Sequence, residues 1–542
     1  MRRAAAGRPR PRAAIAAIIA SLAIAATAPD SALARQAHIW TPDTRTVVTA
    51  GGNLTALAVN RTEVFAATQD VVLVYDVARR EWRPPITVPA ALDAPITALG
   101  VDPTNGDVWI GTGSGDLVRG LPGFSGWETV AAPVRGGIQR IVTWPADAST
   151  FVLSAGEWWR IEWASSFADA IGAASVPGPV RARAADWPDD PYLAAARSSL
   201  GLDPELQRWP ITDVVRGIEP DEFWIATGGG GLLHFNARRS EREWLRFGLV
   251  ARGAATVAWL GDRLWFGGDG RGPRNGVASA TPDLGSWQQY DARLGGPAGF
   301  VAEIVRGGDR LWFAAEDGLY RFDDDRAGDR RAWTRFTSQD GLPSDRTRSV
   351  LHYRGRIWVG TDQGLVALDS LGRRIAGPLL AGGRTSRLAA TGDTLWIASA
   401  RGLRSVTLSD SGLPASEPVT PVLPGADPAS VTAGPVLDLA TGSATWFLSP
   451  AGIFRLGPEG LRGPVRDVNL DRIGPAFRLA SDGADLWVAG RNGIARLDGA
   501  SGAWEVFTVP ADIPSGPVLD VLPLGADVWA ATPAGAVRLR WR

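Results

Sequence analysis

The sequence predicts an all-β protein, a propeller array of about eleven four-stranded blades. Three observations predict it. One aromatic motif recurs eleven times; each copy breaks into short alternating runs bounded by turn residues; and 24 Trp, 65 Gly and 39 Pro favour short strands and tight turns over long helices.

Aligned on the aromatic, the copies fall at Phe65, Trp109, Phe151, Trp224, Trp265, Trp312, Trp358, Trp396, Trp446, Trp487 and Trp529. The steps are about 45 residues, the length of one blade, except between Phe151 and Trp224. DVWIGTGSGDLVRG from Asp107, EFWIATGGGGLLHF from Glu222, RLWFAAEDGLYRFD from Arg310 and DLWVAGRNGIARLD from Asp485 are degenerate copies of one unit. Around Trp358 the runs TRSVLHY (Thr347 to Tyr353), RIWVGT and GLVALD each read as a strand, and AWTRFT (Ala332 to Thr337) as the strand before them. A lone four-stranded sheet exposes an apolar face. Radial stacking buries it, and a mid-strand Trp fills the space between neighbouring sheets. Gly318, Gly364 and Gly493 supply turn backbone angles that a side chain resists.

A second aromatic follows in several copies (Trp82, Trp127, Trp244, Trp287, Trp333 and Trp504) and marks an outermost strand. The last unit has no such strand after Trp529, whereas Trp40 precedes Phe65 by the same offset at which Trp333 precedes Trp358. The first and last segments are therefore expected to share one blade, which removes two exposed sheet edges. Eleven blades exceed the usual four to eight per ring, so two rings, one contiguous and one closed by the chain ends, are expected in preference to one large ring. The seam is not located by the sequence.

Residues 1–34 have a basic start, an apolar stretch and a small-x-small end at Ala32 to Ala34, the pattern of a secretory signal peptide; a retained anchor is the alternative. The repeat region is residues 35–542, interrupted at Ser166 to Leu202 by Ala-rich, helix-compatible pieces broken by Pro. That insertion is a surface loop, or a lid or partner-binding element. A periplasmic or secreted location follows from the signal segment, with no stable membrane span after its cleavage.

The formal net charge is −1 with both signs interspersed, which leaves no basic face for nucleic acid. The absence of Cys excludes disulfides, thiolate metal sites and Cys nucleophiles, and the absence of Lys excludes Schiff-base chemistry. His38, His234 and His352 stand outside any nucleophile or metal spacing and read as structural or exposed. FDDDRAGD (Phe322 to Asp329) lacks the alternating ligands of a calcium loop and reads as a solvated turn. GTGSGD from Gly111 and GGGG (Gly228 to Gly231) are followed by strands where a phosphate cradle needs a helix, so both read as turns. No cofactor and no metal are expected.

The stretch Trp333 to Asp369, above all DGLPSD (Asp340 to Asp345) and IWVGTDQGL (Ile357 to Leu365), resembles the two-component-regulator propeller repeat of periplasmic sensor regions in hybrid histidine kinases. The resemblance implies seven-bladed propellers, often paired, that bind ligands or partner surfaces without doing chemistry. Eleven copies stand here where that family carries fourteen.

In propellers, the loops joining second to third strands and those leading into each blade gather on one face. That face would carry Asp70, Asp269, Arg271, Asp317, Asp340, Asp362, Arg401 and Arg491, a mixture suited to a polar ligand or a protein partner. The expected function is a non-catalytic, extracytoplasmic ligand- or protein-binding propeller, the sensing component of a signalling system being one form of it. The alternatives are a propeller-type carbohydrate lyase or hydrolase, since carboxylates alone can run glycan chemistry, and a structural component of an envelope assembly.

Overall fold

The computed structural model describes residues 40–542 apart from 42–43, 89–91, 93, 121–125, 132–135, 164–167, 177–187, 189, 273, 327–329 and 425–428. By its internal contacts the chain divides between Ile39 and Trp40. The expected signal segment and His38 lie outside the described residues.

From Trp40 onward the described residues form ten four-stranded and one three-stranded antiparallel sheets. We number these blades 1 (56–87), 2 (96–130), 3 (138–171), 4 (211–245), 5 (254–291), 6 (301–336), 7 (347–379), 8 (385–407), 9 (438–462), 10 (476–508) and 11 (520–540 with Arg45–Val48). Within blades 1 to 10 the strands lie side by side in chain order. All eleven motif aromatics sit on second strands, and the second aromatics on fourth strands. Trp358, 0% exposed, stands between Leu351 and Ala367 in blade 7.

Blade 8 departs from the expected four strands. After Gly402–Thr407 the chain reads LPASEPVTPVLP, and four prolines remove the N–H groups that a fourth strand must donate. Among the described residues only isolated bridges, Ser405 with Val419 and Leu408 with Pro414, link the segment to that strand and its end.

The inner strands reveal the partition. Blades 5 to 11 close into a ring of seven, the inner strand of blade 11 (Asp520–Leu524) packing against that of blade 5 (Ala254–Leu260). Blades 4, 1, 2 and 3, in that spatial order, form an arc of four; among the described residues Ile138–Trp144 of blade 3 and Ile211–Arg216 of blade 4 lack the packing that other neighbouring inner strands share. The segment interrupting the repeat covers the arc's two end faces. Its helix Pro191–Leu200, N-capped by Asp190, buries Leu193 and Leu200 against Val214, Phe223 and Phe235 of blade 4. Val176 packs on Phe151 and Trp158 of blade 3.

The chain ends close the ring. Arg45–Val48 pairs antiparallel with the last strand, Arg45 opposite Leu539 and Val48 opposite Ala536, so it supplies the missing outer strand of blade 11. Trp40 packs on Phe507, with centroids 6.3 Å apart, in the cluster that also holds Trp487 and Trp541, and donates its indole N–H to Asp512 at 3.0 Å. From there the chain crosses to the arc, and one continuous core joins the two bodies. Its spine is a run of touching rings: Trp224, Tyr75, Trp82, Phe247, Trp287, Phe266 and Trp529, with centroids 5.0–5.8 Å apart.

Inner strands are edge strands, and side chains at the axis occupy their free N–H groups. Glu303 of blade 6 accepts from Val350 N of blade 7 (3.0 Å), and Asp438 of blade 9 from Leu479 N of blade 10 (2.6 Å). The same contact is made by the neighbours that are not consecutive in sequence: Asp520 of blade 11 to Val257 N of blade 5 (3.1 Å), and Asp213 of blade 4 to Leu57 N of blade 1 (2.8 Å). Each carboxylate thus fixes which blade stands next.

Candidate functional site

Backbone hydrogen bonds bring the two expected kinds of loop together. In blades 2, 6, 7, 8 and 10 the turn after the second strand donates to the loop leading into the same blade: Gly113 to Pro95, Glu316 to Phe300, Asp362 to Arg346, Ala400 to Arg384 and Arg491 to Pro475. A shared loop face follows from this lacing.

Where the loop faces of the arc and the ring meet, blades 1, 4, 5 and 11 enclose a cleft of about 1170 Å³. Trp209, just before blade 4, forms one wall. It lies over the glycine turn Gly228 to Gly231, where a Cβ on Gly229 (φ +140°) would stand 2.3 Å from its ring. Arg274 lies 5.1 Å and Arg293 5.8 Å from the Trp209 centroid, and the indole N–H donates to Asp203 at 2.9 Å. Arg293 grips Asp291 through two nitrogens at 3.0 and 2.7 Å, while Arg274 donates to Gly229 O at 2.5 Å and stands 3.7 Å from Asp291. Burial alone would raise the Asp291 carboxyl, yet Arg293 and Arg274 hold it below the usual carboxylate range. Burial pulls the Arg274 guanidinium below its ordinary value. Arg252, Arg271 and Asp70 stand exposed on the same walls.

Of the eight residues expected on the loop face, Asp70, Asp269 and Arg271 meet in this cleft. Asp269 is buried, its carboxylate accepting from Arg271 N at 3.1 Å. The other five lie along the ring. Asp317 accepts from Tyr320 Oη at 2.6 Å; Asp340 closes a capping box with Thr337; Asp362 is held by Arg348 at 2.8 and 3.0 Å. Arg401 and Arg491 are exposed. The glycine run at Gly228 to Gly231 is a turn whose amides are already bonded, Gly229 and Gly231 to Gly52 O and Gly230 to Thr227 Oγ1.

Trp209, Arg274 and Arg293 were invisible to the repeat because they sit in lead-in loops and in the long turn of blade 5, outside the motif. The signal that marks them is an aromatic immediately before a strand together with an Arg-rich turn longer than its counterparts in other blades, RGPRN at Arg271 to Asn275.

Neither described histidine lines this cleft. His234 is stacked on Trp224 with centroids 4.4 Å apart and bonded to Glu222 at 2.8 Å. It stands opposite the motif Trp on the third strand, where Arg119, Arg321, Arg455, Arg496 and Arg538 stand in other blades. Arg119 with Asp107 and Arg496 with Asp485 repeat the same acid–base–Trp arrangement, so His234 belongs to the blade framework. His352 ends an inner strand and is exposed. In the acidic run of blade 6, Asp323 pairs with Arg310 at 2.8 Å and Arg321 at 3.3 Å. Among the described residues no group of His, Asp and Glu is arranged to hold a metal ion. No helix among them is long and apolar enough to cross a membrane.

The axis of the ring holds a second charged cluster: Arg387 meets Glu303 at 2.8 Å and Asp438 at 3.4 Å, and Arg478 meets Asp520 at 2.9 Å. Burial pushes the Glu303 and Asp438 carboxyls up against the opposing pull of Arg387 and Arg478.

No family model matches the chain, and no curated protein does. Solved structures similar to it include the extracellular domain of a hybrid two component system, BT4673 of B. thetaiotaomicron (13% identity, TM-score 0.37, 90% of this chain and 69% of that one). PorZ, a surface component of the type-IX secretion system of Porphyromonas gingivalis, is similar at 13% identity and TM-score 0.42, over 93% of this chain and 73% of that one. The Pan2 WD40 domain of Neurospora crassa is similar at 13% identity and TM-score 0.38, over 53% and 88%.

Proposed function

We propose that the protein is an extracytoplasmic, non-catalytic binding propeller whose site for a polar ligand is the cleft between arc and ring. The observation that carries this reading is the cleft itself: about 1170 Å³, with Arg and Asp side chains converging from separate blades around Trp209. Export is supported by the basic, apolar and small order of residues 1–34. Asp291, the buried carboxylate nearest Arg274 and Arg293, is paired with both and held below the usual range, so it is no proton donor near neutral pH.

The test is a thermal-shift panel of neutral and acidic sugars, amino acids and dicarboxylates on the wild type and on the exposed-wall variants Arg252→Glu and Asp70→Arg. A compound at about a hundred times its Kd should stabilise the wild type by about 2.7 kcal/mol, enough for a clear shift. The shift should vanish in both variants. A shift retained in both, or consumption of the compound by the wild type, overturns the reading.

A further inference from the structure

The loop face of the ring is not uniform. Over blades 5 to 7 its charges neutralise one another: Arg293 with Asp291 (2.7 Å), Arg346 with Glu316 (3.3 Å) and Arg348 with Asp362 (2.8 Å). Over blades 8 to 10, Arg401, Arg466, Arg472 and Arg491 are exposed, and none makes an ion pair among the described residues. Apolar side chains stand between them, Leu437 44%, Val468 72% and Phe477 39% exposed.

These residues follow one another around the ring. Val436 N bonds Ser399 O, which sets Leu437 beside the turn that carries Arg401. Val465 N bonds Ile453 O, which seats Arg466 beside blade 9. The short helix Val468–Ile473 carries Val468 and Arg472 across blade 10, and a Cβ on Gly474 would lie 3.6 Å from Cβ of Arg491. Among the described residues, Asp467 caps that helix through Asn469 N at 2.8 Å, Asp512 is buried under Trp40, and Asp471 stands exposed, three carboxylates beside four guanidinium groups.

We infer that the loop face over blades 8 to 10 is a docking surface for an acidic, amphipathic protein segment. Unpaired Arg around exposed apolar side chains is the composition that distinguishes interface cores from ordinary surface, and the charge imbalance selects a partner of opposite sign. The surface shares no residue with the walls of the cleft, so it stands or falls apart from the cleft reading.

The probe is a helical peptide of about 18 residues, five turns, with Leu on one face and Glu on the other. Its controls carry Gln in place of Glu, and vesicles containing anionic lipid serve as a separate arm. Fluorescence anisotropy with the full chain should give one-to-one binding of the Glu peptide that weakens roughly tenfold in Arg401→Glu/Arg491→Glu and falls with added salt. Val468→Ser, a change at an exposed side chain, should weaken it severalfold, and Arg252→Glu in the cleft wall should leave it unchanged. No binding, equal binding of the Gln peptide, indifference to both ring variants, or binding to vesicles in place of peptide would each overturn the inference.

Discussion

The arc and the ring are built from the same blade, yet they end differently. In the ring, Arg45–Val48 completes blade 11 beside the last strand, and Asp520 ties blade 11 to blade 5; every sheet face has another blade against it. In the arc, blades 3 and 4 turn their outer faces to the insertion, and Leu193, Leu200 and Val176 take the place of blades that are not there. A propeller blade therefore requires an apolar cover and not specifically another blade. A helix of ten residues suffices on one side of a four-stranded sheet.

The largest effect should come from undoing the ring's closure. Deleting Gln36 to Val48 exposes the edge of Gly535–Arg540, and the ring's melting transition should drop steeply, with self-association at higher concentration. Unchanged calorimetry would show that the chain ends do not hold the ring. Next, Trp358→Ala in the ring should cost about 3–5 kcal/mol in denaturant melts, the range for a large buried aromatic. Its indole N–H has no hydrogen-bond partner among the described residues, so Trp358→Phe should cost far less than Ala; equal losses would mean that packing volume is not what Trp358 supplies.

In the arc, Leu193→Ala should cost near the lower end of about 2–5 kcal/mol, and hydrogen exchange should rise in blade 4 while blades 5 to 11 stay protected. Uniform loss of protection would mean that arc and ring unfold as one. The smallest effect concerns acid. His234 donates to Glu222 and holds its carboxyl below the usual range, so the folded state keeps Glu222 ionised where the unfolded chain has begun to protonate it. That contribution is present above the unfolded value of about 4.3 and is lost as pH falls through the lowered folded value. Glu222→Gln should flatten the acid limb of the arc's stability curve, and an unaltered limb would show that the pair contributes nothing.

Much of this architecture was legible residue by residue. The eleven aromatics predict eleven second strands because a blade's alternation and turns are local, and Trp40 predicts the shared blade because offsets repeat. The division into four and seven was not legible. It is decided by side chains that touch across long sequence distances: Asp213 on Leu57, Asp520 on Val257, and Phe247 between Trp82 and Trp287. Asp213, Asp520 and Phe247 lie outside the repeated motif, and Trp82 and Trp287 recur without naming the blade they will touch. The cleft was half legible. Asp70, Asp269 and Arg271 come from repeated turns, whereas Trp209, Arg274 and Arg293 lie where the repeat is silent, and which turns converge depends on the seam. Blade 8 misled because its third strand fits the motif, and only the prolines after it reveal that no fourth strand can pair.

The strand Arg45–Val48 leaves the ribosome before every other described strand, and its partner Gly535–Arg540 after them all. During synthesis, the arc can assemble as soon as blade 4 has appeared, but the ring stays open until Gly535–Arg540 is delivered. The entropy of joining such distant ends grows only slowly with length, about 0.6 kcal/mol for each doubling, so waiting is cheap at equilibrium. It is hazardous in time, because the early strand and the unfinished blades present pairing edges to every neighbouring chain. Whatever attends this protein during its biogenesis has one interval to guard, the one that ends when Leu539 finds Arg45.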